Sequence, residues 1–169
     1  ARYNLGIVLK ELGEFQKAIN SYEKAIELNP NNPEAYNNLG NVLKELGELQ
    51  KAINSYEKAI ELNPNYPEAY NNLGNVLQEL GDSNEAKKCL EKAIEINPNY
   101  VNAYWNLHSF APSIDEALKI LIKAHNIEKE FLKAEIMISA LKGYKGDFDD
   151  FNKLNKSTDS KHPYMRSIK

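Results

Sequence analysis

Four asparagines, Asn4, Asn38, Asn72 and Asn106, stand at a constant interval of 34 positions in a chain of 169 residues. An amide side chain donates through its NH2 group and accepts through its carbonyl at once. A row of such groups can pair with the backbone of an extended peptide without reading its side chains. Asn37, Asn71, Asn41 and Asn75 widen the same polar stripe. Trp105, the single tryptophan, adjoins Asn106 and is a candidate aromatic anchor. Its alternative role is packing between a weakened fourth unit and the helices that follow.

Catalytic chemistry finds no comparable constellation. Cys89 occupies the place of Ser21 and Ser55 and reads as a small residue tolerated on a helix rather than a nucleophile. His108, His125 and His162 share no metal-ligand spacing with one another or with Cys89. Asp147, Asp149 and Asp150 look like a helix start, because acids favour the first turn. No strand precedes a glycine-rich phosphate loop. The expectation is a chain with no catalytic residues, no metal and no cofactor. Tyr22, Tyr56, Tyr36 and Tyr70 sit at core spacing and are expected to pack.

Charge and hydropathy narrow the partners. With 21 Lys plus Arg against 24 Asp plus Glu the net charge is −3, which offers no basic excess for nucleic acid or an anionic membrane. No apolar run approaches the roughly 18 residues that cross a bilayer. One cysteine cannot form an internal disulfide, which fits a reducing, cytoplasmic setting.

The elements that must position the asparagines follow from the same period. Gly6, Gly40 and Gly74 repeat it, as do Gly13, Gly47 and Gly81, then Ala18, Ala52 and Ala86, then Pro30, Pro64 and Pro98. Pro33 to Gly47 and Pro67 to Gly81 differ only at Lys44 and Gln78. Within a unit, Ala35, Leu39, Val42, Leu43 and Leu46 recur at three-and-four spacing, followed after Gly47 by Leu49, Ala52, Ile53, Tyr56, Ala59 and Ile60. Each unit is therefore two amphipathic helices, the first ended at Gly47 and the second at Asn63-Pro64-Asn65. Gly40 and Gly74 fall in mid-helix, at a cost of about 1 kcal/mol against Ala. That predicts a neighbouring helix packed close against them. A pair of short helices cannot bury its apolar stripe alone, so successive pairs must stack.

The pattern Tyr36, Leu39-Gly40, Leu43, Gly47, Ala52, Tyr56, Ala59, Pro64 resembles the tetratricopeptide repeat, a helix-turn-helix unit of this length. The wording NNLGNVLKELG is similar to repeats in the arms of O-linked N-acetylglucosamine transferase-like proteins. The resemblance implies an all-α, right-handed superhelical solenoid of antiparallel helix pairs, with the asparagine ladder lining a concave, peptide-holding wall. Chaperone-binding members grip carboxylates with Lys and Arg in that wall. Here Glu34 and Glu68 stand where such a Lys is expected, and Glu11, Lys44, Glu45 and Glu79 form a mixed rim.

Past Val101 the period decays. His108 replaces the mid-helix glycine and would overpack by roughly 1–3 kcal/mol unless the helices separate. Pro112 should stop the helix by the residue before it. Ser113 then caps a new helix in which Ala117, Leu121 and Ala124 follow the second-helix pattern. Glu128 to Lys142 reads as a further helix, and Gly146-Asp147-Phe148 as entry into the second helix of a fifth, capping repeat. The expected map is three repeats (1–32, 33–66, 67–100), a degenerate fourth (101–126), capping helices (127–155) and a polar linker (156–169). Residues 1–100 hold 10 basic and 15 acidic side chains and residues 101–169 hold 11 and 9, so the repeats are the acidic part.

The function expected is a protein-interaction scaffold that holds an extended protein or peptide segment. The alternative is the substrate-recruiting arm of a larger glycosyl-, methyl- or sulfotransferase. The chain opens inside a helical pattern at Ala1, and its last segment, Lys161 to Lys169, stops without a helix cap, both of which read as internal boundaries of a longer protein. Self-association through uncapped repeat ends is a further expectation.

Overall fold

A computed structural model describes residues 1–129 and 132–144. The Gly146-Asp147-Phe148 entry, the Asp147, Asp149 and Asp150 group, Phe131, His162 and the linker 156–169 lie outside the described residues. Every regular element described is helical: α1 Arg2–Glu11, α2 Phe15–Leu28, α3 Pro33–Glu45, α4 Leu49–Leu62, α5 Pro67–Glu79, α6 Ser83–Ile96, α7 Val101–Leu107, a 3-10 turn His108–Phe110, α8 Ile114–Ile127 and α9 Leu132–Tyr144. The chain divides into two compact units, one spanning Ala1–Asn106 and one beginning at Leu107. Among the described residues no helix is long and apolar enough to cross a membrane.

In the first unit each turn between paired helices is set by one residue. Gly13, Gly47 and Gly81 have φ of 74°, 76° and 87°, the left-handed region that L side chains adopt only at a cost. The starts of α3 and α6 are capped by side chains. Asn32 Oδ1 accepts from the Ala35 N–H at 3.0 Å, and Pro33 fills the first helical position, where no N–H is needed. Asp82 Oδ1 does the same for the Glu85 N–H at 3.4 Å.

The core of the first unit runs through α2 to α6, and α1 adds the partly buried Tyr3, Ile7 and Leu9. Ala18, Tyr22, Ala35, Val42, Ala52, Tyr56, Ala69, Val76, Ala86 and Leu90 are completely buried. The mid-helix glycines are explained by what lies over them. A Cβ on Gly40 would sit 2.6 Å from Tyr56 Cε1, and one on Gly6 would sit 2.7 Å from Tyr22 Cε1. In the third repeat Leu90 replaces the tyrosine, and a Cβ on Gly74 would meet Leu90 Cγ at 3.0 Å and the Ala86 carbonyl at 3.1 Å. The close neighbour is thus a tyrosine ring in two repeats and a backbone carbonyl only in the third. Tyr36 and Tyr70 are only half-buried, unlike Tyr22 and Tyr56. Leu46, read as part of the apolar stripe, caps α3 and remains 42% exposed.

The second unit departs from the repeat where His108 predicts it. The α-helix gives way to 3-10 geometry at that residue, and Ala111, which precedes Pro112, is extended with φ −69° and ψ 134°. Ser113 Oγ accepts from the Glu116 N–H at 3.3 Å and opens α8. Ala117, Leu121 and Ala124 of α8 are buried, as are Ala134 and Ile138 of α9. Two boundaries shift. Ile127 belongs to α8, one residue past the expected end of the fourth repeat, and Glu128 is extended as its C-cap with φ −130° and ψ 99°. A helix therefore does not start at Glu128, and its described part begins at Leu132.

Candidate binding face

Side-chain polarity in the first unit is sorted by helix. Second helices carry exposed Lys–Glu pairs one turn apart: Lys17–Glu14 at 3.1 Å, Lys24–Glu27 at 2.7 Å, Lys51–Glu48, Lys58–Glu61 at 2.8 Å, Lys88–Glu85 and Lys92–Glu95 at 2.8 Å. Such pairs contribute little stability, and they occupy each Lys of these helices. First helices carry the ladder asparagines, together with charges that have no ion-pair partner among the described residues: Arg2, Lys10, Glu11, Glu34, Lys44, Glu45, Glu68 and Glu79.

The ladder residues do come together, and they do so through one another. Asn72 Nδ2 donates to Asn37 Oδ1 at 3.0 Å and to Asn41 Oδ1 at 3.1 Å, so both of its protons reach back to the preceding repeat. Asn106 Nδ2 donates to Asn71 Oδ1 at 2.8 Å. In the first interval Tyr3 stands where Asn37 would, and Asn38 Nδ2 donates to its hydroxyl at 2.8 Å. Asn37 and Asn71, at 5% and 4% exposure, are the buried acceptors of this system, and the amides of Asn38, Asn72 and Asn106 are half-buried. Asn41 is anchored further, since the Tyr56 hydroxyl donates to its Oδ1 at 2.9 Å.

Some amide capacity remains open. Asn38 Oδ1 has no partner among the described residues, and Asn72 Oδ1 meets only the Asn71 NH2 at 3.4 Å. Asn75 is half-buried with no partner among the described residues, because Leu90 replaces the tyrosine that holds Asn41. Asn4 is exposed on α1, and Trp105 is half-buried on α7.

Tyrosines occupy the edge where the first helices begin. Tyr66 and Tyr100 replace Asn32 at the equivalent position. Burial, then Glu68, Glu34 and Tyr3, pushes Tyr66 up to about 12, against a smaller opposing pull from its hydrogen bond to Asn37. Burial and then Glu34 raise Tyr3, while burial and then Glu68 raise Tyr100 against the bond to Asn102. This aromatic edge is the part of the face that the asparagine period does not announce. The substitutions Tyr3 for Asn37 and Tyr66 for Asn32 are the signal that could have found it.

Cys89 is half-buried on α6, and desolvation followed by Glu85, Glu57 and Asp82 pushes its thiol up to about 11, away from nucleophilic use. A separate cleft of about 370 Å³ between α2 and α4 is floored by Ile19, Leu39 and Leu43, and its Glu48 and Lys51 are already paired. Among the described residues no cluster of three or more His, Cys, Asp or Glu could hold a metal.

Family models of the tetratricopeptide repeat match residues 6–47, 40–81 and 67–100. The chain belongs to the tetratricopeptide repeat family. The crystal structure of MamA is 30% identical over 89% of this chain and 90% of its own, with a TM-score of 0.73. The first tetratricopeptide domain of Spaghetti (RPAP3), bound to the HSP90 peptide SRMEEVD, is 28% identical over 64% of this chain and 86% of its own, at 0.62. A thermophilic tetratricopeptide protein from Thermus thermophilus is 23% identical over 88% and 84%, at 0.71, and shares the fold. No curated protein sequence matches significantly. Within the tetratricopeptide framework the helices that carry the ladder asparagines are the first of each pair, and the ion-paired helices are the second.

Proposed function

We propose that the chain is a protein-interaction scaffold that holds an extended partner segment along the asparagine face of α1, α3, α5 and α7. Tetratricopeptide proteins mediate binding to proteins and peptides, and the Spaghetti domain holds an HSP90 peptide. The observation that carries the reading for this chain is the open amide capacity at Asn38 Oδ1, Asn75 and Asn4, set in a row braced from behind by Asn37 and Asn71. A braced row costs a ligand little ordering of the receptor, which favours affinity. Trp105 serves as the terminal anchor, since it shares α7 with Asn106. Recruitment of substrate for a larger transferase would use the same face and fail the same test.

That test is titration with extended peptides followed through the side-chain amide resonances of 15N-labelled protein. Asn38, Asn41 and Asn75 should shift, and Asn75→Ala should weaken binding several-fold with helix content and melting unchanged, because Asn75 holds nothing in the fold. Shifts confined to α2, α4 and α6 would place the ligand elsewhere and overturn the reading.

A further inference from the structure

We propose that the edge where the first helices begin selects a cationic partner, an extended segment with Lys or Arg at about every third residue, received by Glu34 and Glu68 between the rings of Tyr3, Tyr66 and Tyr100. This rests on the proposed binding face and names the ligand it takes.

Three independent observations converge. The first is charge left uncompensated. On the second helices each Lys has a Glu partner and Glu23 and Glu57 are left over, while on the first helices Glu34 and Glu68 have no ion-pair partner among the described residues. Along the first helices the balance of Lys and Arg against Glu runs from +1 in α1 (Arg2, Lys10, Glu11) to −1 in α3 (Glu34, Lys44, Glu45) and −2 in α5 (Glu68, Glu79). The cations Lys10 and Lys44 lie in the last turns of their helices, so the starting edge of α3 and α5 is purely acidic.

The second is the direction of the amides. The NH2 groups of Asn38, Asn72 and Asn106 donate backwards to the preceding repeat. What the ladder offers a ligand is therefore weighted toward carbonyl acceptors, which suit a strand rich in N–H donors.

The third is the aromatic edge itself. Carboxylates stand close to these rings: Glu34 acts on Tyr3 and Tyr66, and Glu68 acts on Tyr66 and Tyr100. A Lys or Arg side chain laid across these rings gains from the ring face and the flanking carboxylate together. Successive first helices stand roughly 10 Å apart, and an extended chain advances about 3.3 Å per residue, which sets the spacing at about three residues. An acidic segment is repelled at both carboxylates.

The experiment compares three synthetic peptides on one Ala-Ser-Thr background, with Lys, Gln or Glu at every third position, against the full chain by fluorescence anisotropy at low and high salt. The Lys peptide should bind at least about tenfold tighter than the Gln peptide at low salt, with the gap shrinking as salt screens it. Glu34→Gln with Glu68→Gln should remove the gap, and Glu34→Lys with Glu68→Lys should transfer the preference to the Glu peptide. Equal binding of all three peptides would overturn the cationic preference while leaving the asparagine face intact. Binding of none would overturn both.

Discussion

Tyr22 and Tyr56 are the same residue at the same place in adjacent repeats, both fully buried, and they differ in what their hydroxyls find. Tyr56 donates to Asn41 Oδ1 at 2.9 Å, and Asn41 in turn accepts from Asn72 of the next repeat. Tyr22 finds no partner among the described residues, because Ile7 stands where Asn41 would, and its hydroxyl is buried unpaired. Tyr3 lies against it within the first repeat with ring centroids 6.0 Å apart, and the link to the second repeat is made by the Tyr3 hydroxyl, which accepts from Asn38 Nδ2 at 2.8 Å. A consensus residue thus has no fixed value in a repeat array. Its contribution is set by the neighbour one interval away.

The largest expected test of this contrast is at the glycines beneath those side chains. Gly40→Ala places a methyl 2.6 Å from the Tyr56 ring and should destabilise by about 2 kcal/mol in urea unfolding. Gly74→Ala meets Leu90 Cγ at 3.0 Å and the Ala86 carbonyl at 3.1 Å, a wider approach than at Gly40, and the ~1 kcal/mol gained in helix propensity should offset part of its cost, leaving a smaller loss than Gly40→Ala. Equal losses would show that the tyrosine ring is not what separates the repeats.

Next comes the ladder. Asn72→Ala leaves the buried Asn37 carbonyl without its donor and should cost about 1–3 kcal/mol, whereas Asn38→Ala releases only the Tyr3 hydroxyl and should cost about 0.5–1 kcal/mol. Thermal melting of the two variants side by side decides it, and the reverse order would break the assignment of Asn72 as the shared donor.

Smaller still is the hydroxyl itself. Tyr56→Phe should cost about 1 kcal/mol, while Tyr22→Phe removes an unpaired buried group and should be neutral or mildly stabilising. Matching losses would mean that Tyr22 has an acceptor after all.

At neutral pH the tyrosines cause no change, so their test lies in alkali. Tyr22 and Tyr66 are pushed from 10.0 up to about 12, which means that the folded chain keeps protons the unfolded chain releases. Their contribution is therefore complete below pH 10 and declines as pH rises through about 12. Phenolate absorbance should lag that of a denatured control across this interval, and coincident titrations would contradict the burial of both rings.

The interval, the helix pairs, the turn glycines and the Ser113 cap are all legible in the sequence, because local signals fix them: Gly at positive φ, Pro at a helix start, apolar residues at helical spacing. The break at His108 is legible too, since a side chain in the glycine's place comes with a change of the helix to 3-10 geometry there. What stays hidden in the sequence is the direction of the amides. Adjacent Asn37 and Asn38 look alike in a row of letters, yet one is buried as an acceptor and the other donates across the interval, a division set only when the repeats stack. Glu128 misleads for a different reason, because the helical pattern continues in composition through a residue whose backbone is extended.

Asn72 has both amide protons committed to the repeat before it. A ligand that uses the open carbonyls instead leaves both protons in place. Filling this face would then keep the joint between the second and third repeats closed, and backbone amide exchange at the start of α5 would slow on binding. The rung beside the guest is also the latch that holds the array shut.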